Sequence, residues 1–451
     1  MNEVKIMKQK LLSFLTFLLV LCISTYNTTS VAQSLNSYLS KPSGQYGVAF
    51  EDFHWINQNN CPDFNFNGTN QDDFSPNNTS YCHEIVTRIY YPIVTPSQLG
   101  VLYYPPFIKT EQEGLSHVPD VTPEQVQQLS TIRSYSVEKA PIIAGKKFPV
   151  LLFSPGFGCP AELYENFITE LVSQGYIVVS ISTPFINFVA LPNGHIVNAA
   201  QIKDHDEIEK KFVPLQAEDV SYVYEKIFSL HSLNPLFSIM DLKHIGAFGH
   251  SIGARVIADV AHTHPNWFQA AATLDIGSDT TGESQKKFNI PFMHAISSNR
   301  ISESPLPVNF ELGKNGYLVG FSPNEQDHDY SYHMNFSDIS TLVYLPAYQV
   351  YLEYLNKQGA PPVIGTANGW ELTHSINTYL VKFFDAFLKD DEDPAFRKCT
   401  ILTNNSYIRC GPSTINSWHK SNLPMVIKQW PYHIQPTVQK TNLLRINETP
   451  K

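Results

Sequence analysis

The 451-residue sequence has no block of basic residues, and its formal charge is −10. Nucleic acid is therefore not an expected partner. It has no C-x-x-C or H-E-x-x-H pattern and no calcium loop, so no metal or other cofactor is expected. No internal repeat appears, which argues against a solenoid or a propeller. Charged residues are scarce at 16%, while 43% of the chain is hydrophobic, enough for a large globular core. The apolar run Leu11 to Ile23 is short of the ~20 residues that a membrane span needs.

That run instead fits a secretory leader. Lys5, Lys8 and Lys10 precede it, and Ser30-Val31-Ala32 supplies a small-residue cleavage site before Gln33. Residues 1–32 are expected to be removed and the protein to be secreted or periplasmic. The alternative is an uncleaved anchor. Cys22 follows Leu21 rather than the small residue a lipoprotein site requires. Export permits disulfides. Cys61 and Cys82 bracket an Asn/Asp-rich loop, and Cys399 and Cys410 bracket a hairpin-like segment. These pairs are the expected bridges, with Cys159 free, although sequence does not fix connectivity. Formal glycosylation sequons include Asn67, Asn77, Asn78, Asn335, Asn404 and Asn447.

Ile85 to Tyr91 reads as a strand ended by Pro92, and residues 93–145 read as a surface insertion with a short helix near Thr122–Gln125. After this, strands and helices alternate. Apolar strands are expected at Phe148–Phe153, Tyr176–Ser182, Ile245–Phe248, Phe268–Leu274, Ile290–Ile296 and Tyr317–Phe321. Helices are expected at Ala161–Gln174, Leu215–Ser229, with Val220, Val223, Ile227 and Phe228 on its apolar face, and Ser375–Leu388. This pattern means a parallel sheet covered on both faces, an α/β fold. One catalytic domain over 33–395 and a C-terminal tail over 396–451, packed on that domain, complete the expected organisation.

The sharpest motif is Gly249-His250-Ser251-Ile252-Gly253, set between an apolar strand and a helix-like stretch from Ala254. Strand, G-x-S-x-G and helix in that order describe a nucleophile elbow. A serine nucleophile needs a base, an orienting carboxylate and an oxyanion hole. In this fold the acid and histidine follow the serine in sequence. Asp275 ends the next strand, at the rim where ligands bind in open α/β sheets, with Asp279 and Glu303 as rivals. Candidate bases are His328, His333 and His374. The oxyanion donors would be the backbone N–H of Ile252 and of Phe157, which lies between Gly156 and Gly158 in the loop after Phe148–Phe153.

Together, Phe153-Ser154-Pro155-Gly156-Phe157-Gly158, the Ser251 pentapeptide, Leu274-Asp275 and His333-Met334-Asn335-Phe336-Ser337-Asp338 resemble motifs of the platelet-activating-factor acetylhydrolase family. This is the secreted-type (group VII) serine phospholipase A2 family of α/β-hydrolase fold. Gly44-x-Tyr46 and Ile89–Pro92 are similar to its N-terminal strands, so the resemblance spans roughly residues 44–390. It implies Ser251 as nucleophile, Asp275 as acid, His333 as base, and Phe157 and Ile252 as oxyanion amides. Two departures stand out: Pro155 replaces the family's His, and Ala254 stands where a second Gly would follow.

The implied function is a secreted serine ester hydrolase acting on short or oxidised acyl esters, small molecules or phospholipids, with contact to a lipid surface. The alternatives are a general carboxylesterase or lipase, and a peptidase or amidase using the same three residues. A non-catalytic hydrolase-like protein would need a broken triad, yet all three residues are present. Phe185, Phe188 and Trp370 are candidates for either lipid contact or core.

Overall fold

Alternation along the strands sorts their side chains onto two faces. Leu151, Phe153, Val178, Phe248, Ala270, Ala272 and Leu274 enter one hydrophobic core. Val150, Leu152, Ile177, Val179, Ile181, Ala247 and Ala271 enter the other. Such continuous apolar strands are stable only when both faces are covered. The computed structural model describes residues 38–58, 83–199, 210, 212–276, 288–298, 316–321, 330–360, 362–389 and, as backbone alone, 407–410.

The strands are β1 (Gly47–Asn57), β2 (His83–Ile93), β3 (Ser136–Glu138), β4 (Phe148–Ser154), β5 (Ile177–Ser182), a two-stranded hairpin of β6 (Val189–Ala190) and β7 (Ile196–Val197), β8 (Met240–His250), β9 (Ala270–Leu274), β10 (Phe292–Ser297), β11 (Gly316–Phe321) and β12 (Tyr407–Cys410). Ten of them form one sheet in the order β12-β11-β10-β9-β8-β4-β5-β2-β1-β3. The run from β5 through β4, β8, β9 and β10 to β11 is parallel. β2 pairs antiparallel with β5 and with β1, and β12 pairs antiparallel with β11. The fold is that of an α/β hydrolase, with a mostly parallel central sheet.

The helices are α1 (Pro105–Leu115), α2 (Pro123–Gln128), α3 (Glu165–Ser173), α4 (Val213–Leu230), α5 (Pro235–Ser238), α6 (Ile252–Thr263), α7 (Ile339–Leu342), α8 (Pro346–Lys357) and α9 (Gly369–Leu388). Phe167 and Leu171 of α3 share the first core with Leu380, Phe383 and Phe384 of α9. Val220, Val223 and Ile227 of α4 share the second with Val256, Ile257 and Val260 of α6. Each large apolar side chain so buried contributes roughly 1.5–3 kcal/mol. Among the described residues, no helix is long and apolar enough to cross a membrane.

Several local expectations change. β2 continues through Pro92 to Ile93, because β5 pairs only with Val86–Tyr90 and leaves one flank of Pro92 without a partner strand. Residues 93–145 are not merely surface. Tyr103, Phe107, Ile108, Leu115, Leu129 and Ile132 are buried in the first core, and β3 adds a parallel strand beside β1. Phe228 is exposed, since the buried stripe of α4 ends at Ile227. α9 begins at Gly369, so His374 lies within it and faces outward rather than preceding it. Phe188 is core, whereas Phe185 and Trp370 are half-buried.

Cys159 is free and buried. Cys61, Cys82 and Cys399 lie outside the described residues, as do the expected leader, the tail apart from 407–410, Asp279, Glu303 and His328.

Candidate active site

Glycine is required at two positions of the elbow by close backbone approach. A Cβ on Gly249 would sit 2.4 Å from the Gly253 carbonyl oxygen, and one on Gly253 would sit 2.1 Å from that of Ser154. The chain thus leaves β8, turns at Ser251 and enters α6 against the end of β4. Ser251 has φ 56 and ψ −121, a conformation that costs on the order of 1–3 kcal/mol for a residue with a Cβ. The turn is held by Ser251 N–H donating to Leu274 O at 3.0 Å.

Asp275 follows β9 and is fully buried. Its Oδ1 accepts from Ser297 N–H at 2.8 Å, which orients the carboxylate. Its Oδ2 lies 2.6 Å from His333 Nδ1. His333 Nε2 lies 2.8 Å from Ser251 Oγ. A carboxylate only accepts, so Nδ1 carries the proton and Nε2 presents its lone pair to the serine hydroxyl. Ser251, His333 and Asp275 therefore form one hydrogen-bonded chain, assembled from positions 251, 333 and 275. His374 is not part of it.

His250, the second residue of the pentapeptide, is buried beside this chain, its ring centroid 4.5 Å from that of His333. Its Nε2 donates to the His333 carbonyl at 3.1 Å. Its Nδ1 must then accept, and the Tyr164 hydroxyl donates to it at 2.8 Å. The Tyr164 oxygen in turn accepts from Gly156 N–H at 3.1 Å. His250 and Tyr164 thereby join the elbow, His333 and the Gly156 loop.

Phe157 is half-buried in that loop. The loop lies close to the serine, since a Cβ added at Gly156 would be 3.2 Å from Ser251 Cβ. Ile252 is the first residue of α6, so its N–H has no partner within the helix. Neither the Phe157 nor the Ile252 amide has an acceptor among the described residues. An N–H at a helix N-terminus and another in the loop that approaches Ser251 are donors of the kind that suit an anionic oxygen.

His333 opens a short 3-10 turn, His333–Phe336. Asn335 is buried, and its Oδ1 accepts from Tyr332 N–H and from Gly365 N–H, each at 2.8 Å. Although Asn335 opens a formal sequon, a buried amide cannot carry a glycan. Mass spectrometry of protein secreted from a glycosylating host should find Asn335 unmodified. Asn335→Ala should lower kcat by about tenfold through misplacement of His333, out of proportion to any loss of expression.

Asp338 does not cap the helix that follows it. Its Oδ2 and Oδ1 accept from Glu165 N–H and Asn166 N–H, each at 2.9 Å, closing the N-terminus of α3 instead. The Tyr103 hydroxyl also donates to Oδ2 at 2.9 Å. The carboxylates of Glu162 and Glu165 are buried nearby, and Arg88 Nη1 lies 3.7 Å from Glu162 Oε1. Burial pushes the Glu162 carboxyl up to about 7, Arg88 pulls it back, and Asp52 adds to the rise. An unfolded Glu has a pKa near ~4.3. The folded chain therefore holds a proton here that the unfolded chain has released, and stability falls as pH rises through that window. The thermal midpoint of wild type minus that of Glu162→Gln should decline from pH 5 to pH 8; a rising difference would reverse the assignment.

Sequence reasoning missed His250, Tyr164 and the contacts of Asp338 with α3. The histidine of the pentapeptide was visible, but its contacts span 83 and 86 positions. No local pattern announces such pairs.

Residues 39–183 match the model of a protein family described as platelet-activating factor acetylhydrolase, isoform II. The matched segment contains the Gly156–Gly158 loop and stops before Ser251. No curated protein matches the sequence. Among solved structures, a ferulic acid esterase from Streptomyces cinnamoneus is similar, with TM-score 0.62 and 19% identity, covering 83% of this chain and 99% of that one. At that identity the likeness concerns the fold. The chain is an α/β hydrolase in architecture, and the resemblance read from its motifs holds over residues 39–183 to the platelet-activating factor acetylhydrolase, isoform II, family.

Proposed function

We propose that this protein is a serine ester hydrolase working through an acyl-enzyme on Ser251. The observation that carries the reading is the hydrogen-bonded chain from Ser251 Oγ through His333 to buried Asp275. Ser251 Oγ attacks the ester carbonyl carbon while His333 Nε2 takes its proton. The carbonyl oxygen becomes an oxyanion that accepts from the Phe157 and Ile252 amides. Asp275 keeps the Nδ1 proton in place and stabilises the imidazolium. The intermediate collapses, the C–O bond to the alcohol breaks, and His333 returns the proton to the departing oxygen. Water, deprotonated by His333, then attacks the acyl carbon. Collapse releases the carboxylic acid and restores Ser251.

The substrates in this reading are short or oxidised acyl esters, including phospholipid esters of the platelet-activating-factor type. The family match over residues 39–183 supports that choice. The leader expected at residues 1–32 would place the enzyme outside the cytoplasm, where it would meet such esters at lipid surfaces. A panel of phospholipids varying only the acyl chain from acetyl to palmitoyl tests the choice. Turnover should be greatest for the shortest chains, and a preference for palmitoyl would replace this reading with that of a general lipase. Aminoacyl p-nitroanilides should be cleaved at least ~100-fold more slowly than p-nitrophenyl acetate or butyrate; the reverse order would favour a peptidase on the same three residues.

A further inference from the structure

Within a trans peptide unit, C=O and N–H point in opposite directions. Whatever holds the Gly156 carbonyl therefore also sets the direction of the Phe157 N–H. That carbonyl accepts from Asn187 Nδ2 at 3.0 Å and from Cys159 N–H at 3.2 Å. Asn187 is fully buried. The orientation of its amide is forced from both sides, because Oδ1 accepts from Thr183 N–H at 2.8 Å while Nδ2 faces a carbonyl that can only accept. Its own N–H donates to Thr183 O at 2.8 Å. Thr183 Oγ1 donates to Asp219 of α4 at 2.8 Å. An unbroken series of hydrogen bonds thus runs from α4 through the turn after β5 to Gly156.

The other groups of the loop are also held. Gly156 N–H donates to Tyr164, and Gly158 N–H donates to Ile186 O at 2.9 Å. Gly156 and Gly158 flank Phe157 and impose little barrier of their own to rotation of the peptide plane. The restraint on that plane comes from the two donors to the Gly156 carbonyl: Cys159 N–H closes the loop on itself, and Asn187 ties the carbonyl to the turn after β5.

We infer that Asn187 is a positioning residue of the oxyanion site: by holding the Gly156 carbonyl it keeps the Phe157 N–H aimed at the substrate oxygen. This rests on the acyl-transfer reading above. Asn187 touches no reacting atom and acts only through the Gly156–Phe157 peptide. Loss of one oxyanion donor costs about 10²- to 10³-fold in kcat. Asn187→Ala leaves the Gly156 carbonyl held by Cys159 N–H alone and the Phe157 N–H less firmly aimed, so a loss of about 10- to 100-fold is expected.

The test measures kcat per fluorophosphonate-titrated site, KM, and the affinity of an aryl trifluoromethyl ketone, which forms a tetrahedral oxyanion adduct on the serine. In Asn187→Ala, kcat should fall about 10- to 100-fold with KM within threefold, and ketone affinity should fall by the same factor as kcat/KM. Asn187→Asp keeps the volume and the acceptor for Thr183 N–H. It should show the same joint loss at neutral pH, and it decides the matter if the alanine variant does not fold. A kcat per titrated site within threefold of wild type, or a fall in kcat with unchanged ketone affinity, would overturn the inference. Failure of the underlying reading would appear in wild type instead, as neither ester turnover nor ketone adduct.

Discussion

Ser251→Ala is expected to lose ester turnover by on the order of a millionfold while keeping its fold. Removing the nucleophile of such a unit removes covalent catalysis altogether and leaves only binding and oxyanion stabilisation. Six decades correspond to about 8 kcal/mol of transition-state stabilisation. The structure gives reason to expect an intact fold. Alanine keeps the Cβ already accommodated at φ 56, and among the described residues the deleted hydroxyl bonds only to His333 Nε2. The thermal midpoint should therefore move by no more than a few degrees. Turnover within about tenfold of wild type would mean that another residue attacks the ester.

His333→Ala should be as inactive as Ser251→Ala, and the double variant no worse than either. The two side chains act as one unit, so their losses do not add. The structure adds a contrast within one experiment. His374 is exposed on α9, where Thr378 Oγ1 donates to its backbone carbonyl at 2.8 Å. His374→Ala should accordingly keep turnover within twofold of wild type. Inactivity of His374→Ala beside an active His333→Ala would move the base and dismantle the site.

The elbow was legible because its causes are local. Two glycines, an apolar strand before them and a helix after them lie within some 20 residues, and the backbone crowding that demands glycine acts between neighbours. Asp275 was legible for a related reason: an apolar strand that stops at an Asp presents the carboxylate at the sheet rim. His333 was less so, since chain order admitted three histidines and only the surrounding H-x-N-F-x-D pattern separated them. The helpers were hidden. The Tyr164–His250 and Asp338–Glu165 bonds join residues 86 and 173 positions apart, through side chains with no required spacing. Asn187 is an unremarked polar residue until the turn after β5 sets it against Gly156. The segment at 93–145 misled through composition. Its polar residues suggested an insertion, yet Tyr103, Phe107 and Leu115 recur often enough to bury one side against the body of the fold. Asp338 shows the same limit, because a carboxylate just before a helix signals a local cap while its acceptor capacity is taken by a helix elsewhere in the chain.

The central claim is that Ser251 is the nucleophile, and peptide mapping after reaction with a fluorophosphonate tests it most directly. Mass spectrometry should find one phosphonyl adduct per chain, on Ser251, formed at a rate that falls together with ester turnover in His333→Ala. An adduct on any other residue, or full ester turnover after Ser251 has been stoichiometrically modified, would contradict the account.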